Sequence, residues 1–266
     1  ALVREAALYA DRVSVNIEMP SEISLRALAP EKNRQDILGP MRWMSRSIAD
    51  SAAERRKDRR APAFAPAGQS TQMIVGASPE SDRQILNLSS ALYRTYGLKR
   101  VYYSAYTPVV EDPRLPRPER PDLAREHRLY QADWLLRCYG FGLDEILPPE
   151  EPRLDAEMDP KTAWALRHPE RFPVELHCAD YETLVRVPGI GARTAARIVA
   201  TRRHAAARPE DLSRLGAVVR RARHFVACGG RYLGDGLFEP HRIRARLAAA
   251  ARAPAVVQGE LPLEPL

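Results

Sequence analysis

The chain has few cysteines, few aromatic residues and no long apolar run. Of its 266 residues only 3 are cysteine and 7% are aromatic. Cys138, Cys178 and Cys228 are too far apart in sequence for a metal-ligand motif, and an odd, sparse set argues against a disulfide framework. No stretch is long and apolar enough to cross a bilayer, and no secretory signal stands at Ala1. We therefore expect a cytoplasmic protein with no bound metal and no membrane partner.

Basic residues are plentiful, but their excess is confined to the C-terminal part of the chain. Residues 177–252 hold 15 Arg against 6 Asp and Glu, whereas the remainder holds 26 basic and 28 acidic residues. The chain is rich in arginine throughout, as base composition alone can make it, but base composition does not explain a local excess. A local excess of positive charge predicts a module that binds a polyanion.

The most informative stretch lies inside this basic segment. Residues 184–199 (LVRVPGIGARTAARIV) predict two short helices joined by a tight Pro-Gly-Ile-Gly turn. Pro188 discourages continuation of the first helix, and Gly189 and Gly191 permit φ values and close backbone approaches that other residues avoid. The second helix then begins with unpaired N–H groups, which suit a phosphate.

This pattern resembles the helix-hairpin-helix family, whose members bind DNA without sequence specificity. The resemblance implies that the turn and the following helix contact the DNA backbone, with one further arginine from a second, weaker copy at residues 212–226. The expected contact residues are Gly189, Ile190, Gly191, Arg193, Thr194, Arg197 and Arg220. The second copy keeps only Gly216, so we expect it to serve packing first and DNA contact second. The alternative is an ordinary helical hairpin whose glycines merely let two helices pack closely.

The N-terminal half alternates strand and helix patterns. Predicted strands at residues 13–18, 73–76 and 101–106 are interspersed with predicted helices at 35–51, 81–96 and 123–139. Alternation of this kind predicts βα units and a parallel sheet, hence an α/β fold. Ligands of such sheets bind at the C-terminal ends of the strands, which directs attention to Asn16, Glu18 and Gly76. Tyr102, Tyr103 and Tyr106 either stack a nucleobase there or are ordinary strand residues.

Two further interpretations concern a basic cluster and two tryptophans. Residues 55–60 form a basic cluster in a predicted loop, for which a solvated connector is the favoured interpretation. Trp134 and Trp164 are expected in the core.

Nearly the whole chain is similar to a family of radical SAM proteins assigned to DNA modification or repair and found with a uracil-DNA-glycosylase-like protein. The strings that carry the resemblance are NIEMPSE at 16–22, PAGQSTQMIVGASPESD at 66–82, VYYSAY at 101–106 and REHRLYQADW at 125–134. The resemblance implies a partial radical SAM (β/α) barrel over residues 1–146, a Pro-rich linker at 147–173, a small all-α tandem helix-hairpin-helix domain at 174–252 and a disordered tail at 253–266. It also implies that Asn16 and Glu18 meet the ribose and methionyl group of S-adenosylmethionine, and that Gly76 lets the adenine approach.

The chain departs from the family in one respect that matters for chemistry. Radical SAM enzymes hold a 4Fe–4S cluster on a CxxxCxxC loop, because three thiolates leave one iron open for S-adenosylmethionine. This sequence has no such loop, so it looks like the C-terminal two-thirds of the family protein. Both cofactors are implied for the full-length protein, and none is expected for this chain alone. Glu80 also sits one residue late for the family's GxIxGxxE pattern.

Three function classes follow: a radical SAM enzyme acting on DNA, of which this chain is a part; a DNA-binding module without chemistry; and a scaffold for a glycosylase-like partner.

Overall fold

The chain divides into two compact units. The computed structural model describes residues 2–109, 112–117, 120–203 and 208–252. The first unit is Ala1–Pro160 and the second is Lys161–Leu266. The boundary falls within the predicted linker at 147–173, so the second part of that segment belongs to the C-terminal unit. The predicted disordered tail at 253–266 lies outside the described residues.

The first unit is built from one small parallel sheet and its helices. Its elements are α1 (Leu2–Tyr9), β1 (Val13–Ser14), α2 (Glu22–Leu28), α3 (Arg34–Lys57), β2 (Gln69–Val75), α4 (Asp82–Tyr96), β3 (Arg100–Ala105), α5 (Leu123–Cys138) and α6 (Leu143–Ile146). The strand order is β1-β2-β3, and both pairs are parallel, with Val13 opposite Gln69 and Ser70 opposite Arg100. The predicted α/β class and parallel sheet are confirmed; closure into part of a barrel remains a prediction.

One face of this sheet supplies much of the core of the first unit. Met73, Val75, Val101 and Tyr103 alternate with more exposed residues along β2 and β3 and are buried. Helix α5 lies along β3 and closes its outer edge: the Tyr130 hydroxyl accepts from the Tyr103 N–H and donates to the Tyr103 carbonyl, both at 3.0 Å. The edge of β3 is therefore satisfied by side chains rather than by another strand.

Helix α3 is longer than its hydrophobic pattern predicted. It runs on to Lys57, so Arg55 and Arg56 lie in its last turn and not in a loop. Alanine and glutamate at 52–54 favour the helix, and basic side chains at a C-terminus offset the helix dipole. The expectation for Trp134 was also wrong, since its side chain is 49% exposed and lies under the Arg137 guanidinium; Trp164 is buried as expected.

The second unit combines short helices with a second small sheet. Its elements are α7 (Pro160–Arg167, beginning at the boundary), a 3-10 turn (Pro169–Arg171), β4 (Val174–Glu175), α8 (Tyr181–Arg186), α9 (Ala192–Thr201), α10 (Asp211–Arg214), α11 (Val219–Ala222), β5 (Val226–Cys228), β6 (Arg231–Tyr232) and α12 (Pro240–Arg252). β4 pairs parallel with β5, and β5 pairs antiparallel with β6.

The prediction that this unit is all-α is therefore wrong. β4 comes from the boundary of the predicted linker, and its partner β5 lies about fifty residues later, so no local pattern announces the pair. Phe172, two residues before β4, meets Phe225 edge to face and stacks on Phe238, at ring-centroid distances of 5.3 and 5.9 Å. This aromatic cluster draws the segment into the core of the second unit instead of leaving it as an extended linker.

Among the described residues, no helix is both long enough and apolar enough to span a bilayer.

Candidate nucleic-acid interface

The first hairpin consists of α8, a tight turn and α9. Asp180 caps α8 by accepting a hydrogen bond from the Thr183 N–H at 2.7 Å, and the bonds from Thr183 lower the pKa of that carboxyl. After α8 the chain turns at once, with the Ile190 N–H donating to the Val187 carbonyl at 3.1 Å. The predicted pair of short helices around the Pro-Gly-Ile-Gly turn is confirmed.

Gly189 is required by packing as well as by backbone conformation. Its φ is +85°, in the region that disfavours a side chain. A Cβ at this position would lie 2.8 Å from both the Ala222 nitrogen and the Val218 oxygen, in the second hairpin. The Gly189 carbonyl also accepts from the Val218 N–H at 2.8 Å. Gly189 therefore lies in the contact between the two hairpins.

Gly191 has a different role. Its φ of −95° and ψ of 173° are extended values that any residue adopts, so the left-handed conformation expected of both glycines occurs only at Gly189. Gly191 is the N-cap residue of α9, and, being a glycine, it has no side chain that could cap the helix. Within the described part of the chain, no hydrogen-bond acceptor meets its N–H, which leaves this amide available at the start of the helix.

The second copy folds as a smaller hairpin with the same arrangement. Gly216 has a φ of +94° and corresponds to Gly189, and Val218 is the N-cap of α11 as Gly191 is of α9. The two hairpins interlock, because the Thr194 hydroxyl donates to the Gly216 carbonyl at 3.0 Å. Unlike the Gly191 N–H, the Val218 N–H already donates a hydrogen bond, to the Gly189 carbonyl. The packing role predicted for the second copy thus has a direct structural basis.

The predicted DNA-contact residues fall into two groups. Ile190 and Thr194 are buried at 1% and 5% exposure, and Gly189 faces the second hairpin, so these three build the turn. Arg193, Arg197 and Arg220 are exposed and project from α9 and α11.

The exposed arginines have corresponding places in the two helices. Arg193 and Arg220 each stand two residues after the N-cap of their helix. Neither has an ion-pair partner in the ranges that the structure describes. The Arg197 guanidinium donates to the Leu215 carbonyl at 3.4 Å, so this side chain also links the hairpins. The interface consequently carries positive charge that the described residues do not neutralise.

Sequence reasoning missed one residue of this site, Lys161 of α7. Its side chain is buried, and its Nζ donates to the Ile190 carbonyl at 2.5 Å, inside the turn. Lys161 lies almost thirty residues before the turn, in a segment predicted to be linker. The only signal in the sequence was a lysine in a chain whose basic residues are nearly all arginine.

The second predicted site lies at the C-terminal edge of the sheet in the first unit. Glu18 follows β1 with a φ of +64°, which is unusual for a residue other than glycine. The N–H groups of Ile17 and Glu18 both donate to the Gln72 carbonyl, so the chain bulges at this point. The Glu18 carboxylate accepts from Lys32 Nζ at 2.7 Å. A strained residue at a strand end is a common feature of binding sites.

Asn16 and Gly76 occupy this region in different ways. Asn16 is exposed, and its side-chain oxygen accepts from the Ser14 hydroxyl at 3.2 Å. Gly76 directly follows β2 with a φ of +93°, and the nearest atom to an added Cβ would be the Tyr106 Cβ at 3.9 Å. That distance is an ordinary van der Waals contact, so Gly76 is not closely packed.

Glu80 serves the fold. It accepts from the Ser21 hydroxyl at 2.5 Å and from the Ser24 hydroxyl, at the start of α2. Burial raises the pKa of Glu80, but hydrogen bonds to its carboxylate, those from Ser21 and Ser24 first among them, outweigh that effect, and the net shift of the pKa is downward. Of the three tyrosines, Tyr103 is buried with its hydroxyl on Ser89 and cannot stack a base, whereas Tyr102 is partly exposed beneath the Arg100 guanidinium.

The described residues do not provide ligands for an iron–sulfur cluster. Cys138, Cys178 and Cys228 are not spaced as a CxxxCxxC motif. No group of three His, Cys, Asp or Glu side chains in the described ranges is arranged to hold a metal ion.

Comparison of the chain with protein-family models, with curated proteins and with solved structures found no match.

Proposed function

We propose that the chain binds duplex DNA without sequence preference through the interlocked hairpins of the second unit. The observation that carries this proposal is the pair of exposed arginines, Arg193 and Arg220, at corresponding positions of two helices, beside the available Gly191 amide. A duplex presents two phosphate backbones, and two hairpins that pack on each other can offer a cation to each.

The chemistry of these groups favours the backbone over the bases. Backbone N–H groups and arginines that contact phosphates fix the position of a protein on DNA but carry no sequence information. The helices of the two hairpins are short, at 6, 10, 4 and 4 residues. The available donors are the Gly191 N–H and the Arg193 and Arg220 side chains, at the N-terminal ends of α9 and α11. Binding through such contacts should depend strongly on salt, since each neutralised phosphate releases counterions.

The resemblance to radical SAM proteins supports a second, more specific proposal for the first unit. In it, the strand ends at Asn16, Glu18 and Gly76 bind S-adenosylmethionine, and a longer protein supplies the cluster and modifies or repairs DNA. The left-handed conformation of Glu18, and the absence of close packing at Gly76, favour a ligand at this edge. A non-catalytic DNA-binding module, or a scaffold for a uracil-DNA-glycosylase-like protein, remains the alternative.

The DNA proposal is tested by measuring affinity for a duplex across a series of salt concentrations. Arg193→Met and Arg220→Met should each reduce the log–log salt slope by about 0.9, and the double variant by about twice that amount. Arg94→Met, at an exposed site in the first unit, is the matched control and should leave the slope unchanged. Duplexes of permuted sequence should bind with nearly equal affinity.

Two results would overturn the proposal. One is the absence of salt-dependent binding by the wild-type chain. The other is a folded Arg193→Met, Arg220→Met double variant whose slope equals that of the wild type, because the hairpins would then be purely structural.

A further inference from the structure

A buried lysine lies beneath the turn of the first hairpin. Lys161 is 8% exposed, and its Nζ is 2.5 Å from the carbonyl oxygen of Ile190. Placing an ammonium group away from water is costly unless hydrogen bonds compensate, and an apolar side chain of similar length would fill this space at lower cost. The position of Lys161 therefore calls for an explanation beyond packing.

The geometry of the peptide group links Lys161 to the proposed phosphate contact. The carbonyl of Ile190 and the N–H of Gly191 belong to one trans peptide group. In a planar trans peptide these two bonds point in opposite directions. A donor that holds the Ile190 carbonyl toward α7 consequently directs the Gly191 N–H away from α7.

The two hairpins differ at this amide. In the second hairpin the corresponding N–H, that of Val218, donates to the Gly189 carbonyl. By the same symmetry the Gly191 N–H would donate to the Gly216 carbonyl of the second turn. That carbonyl instead accepts from the Thr194 hydroxyl. The Gly191 N–H thus stays without a partner among the described residues, and it is this amide that Lys161 orients.

We infer that Lys161 is a positioning residue, which holds the turn so that the Gly191 N–H faces a phosphate of the bound duplex. This inference rests on the proposed function. The ammonium group also polarises the peptide it contacts, because hydrogen bonds in a chain strengthen one another, and the Gly191 N–H becomes a better donor. Lys161 does not itself touch the DNA.

The test compares the full chain with Lys161→Met, which keeps the length of the side chain and removes its charge and its hydrogen bond to the Ile190 carbonyl. Duplex affinity should fall about tenfold, as expected when the Gly191 N–H loses its hydrogen bond to a charged phosphate. The log–log salt slope should stay at the wild-type value, because no cationic phosphate contact is lost. Arg193→Met is the contrasting control, since it should lower the slope by about 0.9. Lys161→Arg, which retains a cationic donor, should recover most of the affinity.

A second readout is the NMR spectrum, which is recorded first without DNA and then with it. In free protein labelled with ¹³C and ¹⁵N, Lys161→Met should shift the Ile190 carbonyl carbon and the Gly191 amide, with little change at Gly216 as an internal control. Adding duplex should move the Gly191 amide in the wild type and much less in the variant. If Lys161→Met does not fold, Lys161→Gln serves both measurements.

The outcomes separate the two proposals. A wild-type chain that fails to bind duplex overturns the proposed function, whereas unchanged Ile190 and Gly191 resonances in the folded variant overturn the positioning role in either case. A salt slope that falls by about 0.9 in Lys161→Met would also refute it, because Lys161 would then contact a phosphate directly.

Discussion

Replacing Gly189 by alanine should destabilise the second unit more than replacing other glycines of positive φ. An alanine held at φ +85° lowers the free energy of unfolding by roughly 1–2 kcal/mol. Alanine also restricts the unfolded chain, which raises the free energy of unfolding by roughly 0.4–1 kcal/mol and offsets part of this loss. The new Cβ would also lie 2.8 Å from two backbone atoms, Ala222 N and Val218 O, which cannot rotate away. Overpacking of this kind adds about 1–3 kcal/mol. We expect a total loss of about 2–4 kcal/mol.

Two other glycines of the same unit separate the conformational cost from the steric cost. Gly230 has a φ of +76° and nothing within 4 Å of an added Cβ, so Gly230→Ala should cost only about 0.5–1 kcal/mol. Gly216 has a φ of +94°, and its nearest neighbours are the Thr194 hydroxyl at 3.3 Å and the Arg197 guanidinium at 3.4 Å. Side-chain tips can move by a few tenths of an ångström, so Gly216→Ala should fall between the other two.

Urea denaturation followed by tryptophan fluorescence measures these differences. The three tryptophans include one in the second unit, Trp164, which is buried. Trp43→Phe and Trp134→Phe in the background protein would leave Trp164 as the reporter of that unit alone. The free energies of unfolding should then rank Gly230→Ala, Gly216→Ala and Gly189→Ala in order of increasing loss.

The reasoning fails if Gly189→Ala is no more destabilising than Gly230→Ala. In that case the contact between the two hairpins would be loose enough to accept a methyl group, and the interlocked arrangement would not hold in solution.

Two further predictions concern protonation and metal content. Burial, and after it the charge of Arg223, lowers the pKa of His224, so the unfolded chain binds this proton more readily. The stability that neutral His224 contributes is thus present above about pH 6.5 and lost as the pH falls through its lower folded-state pKa. Urea unfolding at several pH values between about 5 and 8 should show that the free energy of unfolding depends less on pH in His224→Asn than in the wild type. An equal pH dependence in the two proteins would contradict this. Because Cys138, Cys178 and Cys228 do not form a CxxxCxxC motif, the chain as given should bind no 4Fe–4S cluster after anaerobic reconstitution. Stoichiometric iron and sulfide in the purified protein would refute this expectation.

Much of the local structure could be predicted from the order of residues alone. Apolar spacing located α4 and α5, and short β-branched or aromatic runs located β2 and β3, because those patterns repeat with the period of the element itself. The two short helices around Gly189 could be predicted for the same reason, since Asp180, Pro188 and the glycine act on neighbouring residues. The excess of arginine in the C-terminal segment was likewise visible without coordinates.

Contacts between distant residues could not be predicted in this way. The pairing of β4 with β5 joins Val174 to Val226, and neither two-residue nor three-residue strands leave a periodic signal. Missing this pair made the second unit look all-α. The same limitation placed Lys161 in a linker, although its amino group lies inside the hairpin turn.

Amino-acid sequence by itself therefore determined where α4, α5, β2, β3 and the hairpin turn lie, because propensity, capping and backbone freedom act over a few residues. Only the tertiary structure decided what each turn residue does. It assigned Gly189 to the contact with Val218 and Ala222, and it left the Gly191 amide available while consuming the Val218 amide. Those roles depend on which groups of the two hairpins meet in space, and a hydrogen bond between residues some thirty positions apart has no local cause in the chain.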